Sequence, residues 1–168
     1  MPSSAKTYWR WSGGLSTSSD NRLARWLPVA AWAALIFTFS TGWFTGDHTA
    51  GMLLPLLDFF FPDASPATIQ AVNHVVRKCA HFCEYLVLSV LLYRALRGGG
   101  RSPLVAACAS IAIAGVYSLS DEFHQIFVPG RVAALTDCLV DVSGAAAGQG
   151  LLAALGRAAR RSISPGPS

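Results

Sequence analysis

The sequence predicts an all-α integral membrane protein: a bundle of four transmembrane helices with an interfacial or re-entrant segment between the first and second spans. Three observations carry this. Hydrophobic residues make up 52% of the 168-residue chain and charged residues only 13%, against about 25% charged in a soluble domain. Apolar stretches of membrane-crossing length are set apart by Pro, Gly and charged residues. The cations behind the net charge of +4 lie in short clusters beside those stretches, which is the pattern of membrane orientation rather than of a nucleic-acid-binding face.

Residues 1–25 hold Lys6, Arg10, Arg22 and Arg25 among Ser, Gly and Thr and read as a flexible cytoplasmic tail. Residues 26–156 form one membrane domain without an internal repeat. The first span runs from Trp26 to about Phe44, uncharged from Leu27 to Phe39, with Trp26 and Trp43 at its ends as interfacial anchors. It lacks a small-residue cleavage site and is expected to stay as an anchor. Residues 47–65 do not span: Met52 to Phe61 is short, interrupted by Pro55 and Asp58 and closed by Pro62.

Ser65 and Pro66 form a helix start, with Ser as N-cap and Pro at the first helical position, and no breaker follows before Gly98. One long helix is therefore predicted to about Leu96. At 100° per residue it places His74, Arg77, Lys78, His81, Glu84 and Tyr85 on one polar stripe. Arg97 to Arg101 encloses three glycines in a basic loop, and Pro103 opens the third span, which runs through Leu119. If that helix continues, Ser110, Ala114, Tyr117, Asp121 and His124 share a face. Pro129 and Gly130 make a turn. The fourth span starts near Thr136 and reaches about Leu155, with Asp137, Asp141, Gly144 and Gly148 on one face. Gly144 and Gly148 offer a surface on which another backbone can approach closely. Residues 157–168 read as a basic disordered tail.

Four spans put both termini on one side. Ten Lys and Arg fall there, four before the first span, three around the glycine loop and three after Leu155, against Arg77, Lys78 and Arg131 on the other side. The excess places both termini in the cytoplasm of a bacterial inner membrane. The acids follow the opposite rule: all except Asp20 fall in the outer half. Cys79, Cys83, Cys108 and Cys138 lie in or beside apolar segments without a Cys-x-x-Cys pair, so they read as buried free thiols.

The outer ends of spans two, three and four thereby converge on one polar site. The stretch Ser118 to Arg131 is its centre, because Asp121 and Glu122 end an apolar run in which a carboxylate costs several kcal/mol unless paired or hydrated. The ligand-binding candidates are Lys78, His81, Glu84, Tyr85, Asp121, Glu122, Gln125, Arg131, Asp137 and Asp141; the catalytic candidates are His81, Glu84, Glu122 and His124.

These residues carry a resemblance. Lys78-x-x-His81-Phe82-x-Glu84-Tyr85, followed by Asp121-Glu122-x-His124-Gln125-x-Phe127-x-Pro129-Gly130-Arg131 and then Asp137 and Gly144, resembles the paired elements of the VanZ-like family of small multi-span membrane proteins. Asp141 departs from the pattern, which usually has Asn there. The resemblance implies the membrane fold and an association with teicoplanin resistance, and it supplies no reaction.

Four uses of the site follow from its chemistry. The first is binding of an anionic membrane lipid or lipid-linked cell-envelope precursor at the outer leaflet, with Lys78 and Arg131 meeting phosphate and His81, Glu84 and Tyr85 framing the head group. The second is catalysis at a phosphate or ester, with Glu122 and His124 as base and acid or with a metal at His81, Glu84, Asp121, Glu122 and His124. The spacing matches no known metal motif and names no cofactor. The third is structural, with Lys78 pairing Glu84 and Arg131 pairing Asp137. Proton-coupled transport is the fourth, and the inner half lacks acids to complete its path. A homodimer is compatible with so thin a bundle, through Gly144 and Gly148 if that face is not already used within the bundle.

Overall fold

The computed structural model describes residues 18–41, 59, 65–127 and 135–163. Four long helices make up the described chain: α1 (Ser18–Ser40), α2 (Pro66–Gly98), α3 (Pro103–Gln125) and α4 (Leu135–Ile163). Three of them contain segments long and apolar enough to cross a membrane, Arg22–Ser40, Pro103–Gln125 and Thr136–Ser162. The segment expected at residues 47–65 lies outside the described residues except for Phe59, as do Trp43, the Pro129–Gly130 turn and Arg131.

The helix starts follow local chemistry. Ser65 caps α2, its hydroxyl accepting from the Thr68 amide at 3.2 Å with Pro66 in the first turn. Ser102 caps α3 in the same way, accepting from Val105 with Pro103 in the first turn. Between them the chain turns on Gly100, whose φ of 86° is costly for a residue with a side chain.

Two helices run further than the sequence predicts. α3 continues past Leu119 to Gln125, which carries Asp121 and Glu122 on helix rather than on a loop. α4 continues to Ile163, which corrects the expectation of disorder from Arg157 onward. Ala158, Ala159, Arg160 and Arg161 are strong helix formers, and the arginines sit in the last turn, where the helix dipole favours cations.

α2 is the central element. Its buried face is Tyr85, Leu88, Ser89, Leu92 and Ala95, a spacing of three and four that keeps one stripe inward. That stripe packs with Val29 and Ile36 of α1, Ala114 of α3 and Ala145 of α4. Contact between α2 and α4 is the most extensive, and glycine makes it so. A Cβ on Gly144 would stand 2.2 Å from the Phe82 carbonyl oxygen, and one on Gly148 would stand 2.8 Å from that of Leu86. The small face of α4 is therefore filled by α2, which removes the dimer route expected through it. Ser89 and Gln149 add bonds at the same seam: Ser89 Oγ donates to the Ala145 carbonyl at 2.8 Å, and Gln149 Nε2 donates to the Ser89 carbonyl at 2.9 Å.

α1 is tied on by two side chains. Trp32 Nε1 donates to the Glu84 carbonyl at 2.9 Å, and Tyr117 OH donates to the Ala33 carbonyl at 2.7 Å. The N-terminal end of α1, the C-terminal end of α2, the start of α3 and the C-terminal part of α4 meet at one end, lined by Arg22, Arg25, Arg97, Arg101, Arg157 and Arg160. At the opposite end the polar cluster is assembled.

Candidate functional site

α2, α3 and α4 each present polar groups to one buried cluster, and every one of those groups must find a partner or cost stability. Asp141 of α4 is its centre, 1% exposed. Its Oδ2 accepts a 2.6 Å hydrogen bond from Ser118 Oγ of α3. Its Oδ1 lies 3.5 Å from His81 Nδ1 of α2, an ion pair when the imidazole is protonated and too long for a strong hydrogen bond. Tyr85, one turn along α2 from His81, is fully buried within electrostatic reach of Asp141, Asp121 and Ser118.

Asp121 is the second centre. Its Oδ2 accepts from Gln125 Nε2 at 3.1 Å, and the same Nε2 donates to Ser40 Oγ of α1 at 3.0 Å. Asp121, Gln125 and Ser40 are all buried, so α1 reaches the cluster through its last residue. Nearer the helix ends, Lys78 Nζ forms an ion pair with Asp137 Oδ1, joining α2 to α4 with both side chains about a quarter exposed.

Among the described residues, four buried polar atoms of this cluster have no hydrogen-bond partner: His81 Nδ1, Tyr85 OH, Asp121 Oδ1 and Asp141 Oδ1. An orphaned buried group costs about 1–3 kcal/mol, more when charged. Such groups are rare in native proteins, and here they lie on three helices that meet at one end of the bundle.

The structure thus brings Lys78, His81, Tyr85, Asp121, Gln125, Asp137 and Asp141 of the expected site to one end of the bundle. It separates others. His124 is half-buried and its ring lies on Phe37 at 4.8 Å, away from Asp141. Among the described residues no three His, Cys, Asp or Glu side chains gather in a metal-holding group, so the alternative metal set of His81, Glu84, Asp121, Glu122 and His124 is not assembled. Glu122 is buried and Glu84 half-buried, and both have partners. Lys78 is engaged with Asp137 rather than Glu84. Arg131 lies outside the described residues.

Ser118 and Ser40 are the members that sequence reasoning gave no role. Ser118 had a signal: it lies three before Asp121 and four after Ala114, on the inward face. Ser40 had none, since its partner Gln125 is 85 positions away.

Helices of membrane-crossing length around a buried, acid-centred cluster at one end define a small helical membrane protein with an embedded polar site. The chain belongs to the VanZ/LLP1 family, whose model matches residues 25–156. Among the curated proteins and the solved structures, nothing matches it.

Proposed function

We propose that this VanZ-family protein crosses a bacterial inner membrane four times, with both termini in the cytoplasm, and binds the head group of a lipid-linked cell-envelope molecule at the outer leaflet. The observation that carries the reading is Asp121 Oδ1, a buried carboxylate oxygen without a hydrogen-bond partner, close to Tyr85 OH and to the long 3.5 Å pair of Asp141 Oδ1 with His81 Nδ1. Carboxylate oxygens in apolar surroundings call for donors, and the hydroxyl or amino groups of a glycan or amino-alcohol head group supply them. Phosphate is the wrong chemistry for that centre. It is better met at the margin, by Lys78 shared with Asp137.

α2 as the fourth span is supported by its 33 residues, about 50 Å of helix, and by its central packing. The orientation is supported by the arginines at the end opposite the cluster. The family resemblance adds an expected link to teicoplanin susceptibility, which expression in a sensitive host tests.

Tyr85→Phe and Asp121→Asn are the discriminating variants. Reconstituted into nanodiscs from the native membrane, the wild type is expected to enrich a hydroxylated amphiphile, identified by lipid extraction and mass spectrometry. Both variants should lose it while melting within a few degrees of the wild type. A second reading, in which the cluster only fixes helix register, is favoured by the Ser118 bond to Asp141 and the Lys78 pair with Asp137. It expects the reverse: lowered melting temperatures and the same lipid profile.

A further inference from the structure

The end of the bundle opposite the acidic cluster carries a concavity of its own. Between α2, α3 and α4 lies a groove of about 490 Å³, within the range of small-molecule sites. It is lined by Arg97, Arg157 and Arg160 together with Leu104 and Leu152. We infer that this groove binds an anionic glycerophospholipid, its phosphate held by the three arginines and the upper part of an acyl chain lying against the two leucines.

Charge is the first support. From Tyr85 to Ser120 and from Val142 to Ser168 the chain contains no Asp or Glu. Among the described residues no carboxylate pairs with Arg97, Arg157 or Arg160. Arg97 donates to the Arg101 carbonyl, which holds its guanidinium at the rim without neutralising it. Three unneutralised guanidiniums on one concavity suit a phosphate in charge and in donor type.

The polarity gradient separates a lipid from a free anion. Along α4 the lining runs from Gln149 and Leu152 to Arg157 and Arg160, so the apolar wall begins about 12 Å from the outermost cation at 1.5 Å per residue. A free phosphate uses only the rim. An amphiphile uses the whole length, and Leu152 lies on a helix of membrane-crossing length. Gly156 leaves the groove open: a Cβ built there meets nothing within 4 Å.

That glycine gives a test that leaves the charges alone. The full chain, stripped of lipid in detergent, is titrated with dioleoylphosphatidylglycerol or dioleoylphosphatidylcholine, and bound lipid is counted by native mass spectrometry, with and without inorganic phosphate. Phosphatidylglycerol should be retained about ten-fold over phosphatidylcholine. The pair Arg157→Gln/Arg160→Gln should abolish the preference, and Gly156→Leu should abolish it with every cation in place. Gly156→Leu replaces a poor helix former in open space, so the fold is kept. Equal retention of the two lipids, a preference that survives Gly156→Leu, or displacement of the lipid by inorganic phosphate would overturn the inference.

Discussion

Ser118 donates a 2.6 Å hydrogen bond to Asp141 Oδ2, joining α3 to α4 through two side chains that are both buried. The bond removes one of the two acceptor oxygens of Asp141 from the cluster and leaves Oδ1 facing His81. Ser118→Ala is therefore expected to cost about 1–3 kcal/mol, because it orphans a carboxylate oxygen rather than exchanging one partner for another. Thermal melting in detergent checks it, with a fall of several degrees expected.

Gly144 is expected to tolerate no side chain. Gly144→Ala sets a methyl 2.2 Å from the Phe82 carbonyl oxygen, a clash with backbone that only movement of α2 relieves. Overpacking of this kind costs about 1–3 kcal/mol or more. Gly150→Ala on the same helix meets nothing within 4 Å and should be neutral or stabilising by about 0.5–1 kcal/mol. Opposite shifts in melting temperature would confirm that α4 packs on α2 through this glycine.

The attachment of α1 is expected to be modest. Tyr117→Phe removes the 2.7 Å bond to the Ala33 carbonyl and leaves the ring in place. Interhelical bonds of this kind are worth about 0.6–2 kcal/mol in a membrane protein. Hydrogen exchange of the α1 amides should rise in the variant while the α2 and α4 amides stay protected.

Lys78 and Asp137 should couple weakly and in a salt-dependent way. Their side chains are about a quarter exposed, so solvent and ions screen the pair. A double-mutant cycle of Lys78→Gln and Asp137→Asn, read by melting, is expected to give a coupling of about 1 kcal/mol or less that shrinks at high salt.

The helices were legible because their signals are local. Ser65–Pro66 and Ser102–Pro103 announce starts through capping, and the apolar runs announce length. The Arg157 to Ile163 segment was misread because Ser, Pro and Gly of the last residues coloured a stretch whose Ala and Arg favour helix. In the candidate site, the acids and His81 stood out because charge within an apolar run is expensive. Their pairing did not, since Lys78 meets Asp137 across 59 positions and Gln125 meets Ser40 across 85. Packing of three helices decides those partners, and no local pattern encodes it.

Asp141→Asn tests the central claim most directly. The amide oxygen can still accept from Ser118, which turns the amide nitrogen toward His81 Nδ1 and replaces a buried charged acceptor with a neutral donor. Native mass spectrometry of the protein released from its own membrane, wild type beside this variant, should show a retained hydroxylated amphiphile in the wild type and its loss in a variant that melts no lower. A bare mass in the wild type, or the same adduct in both, would contradict a ligand site at Asp141.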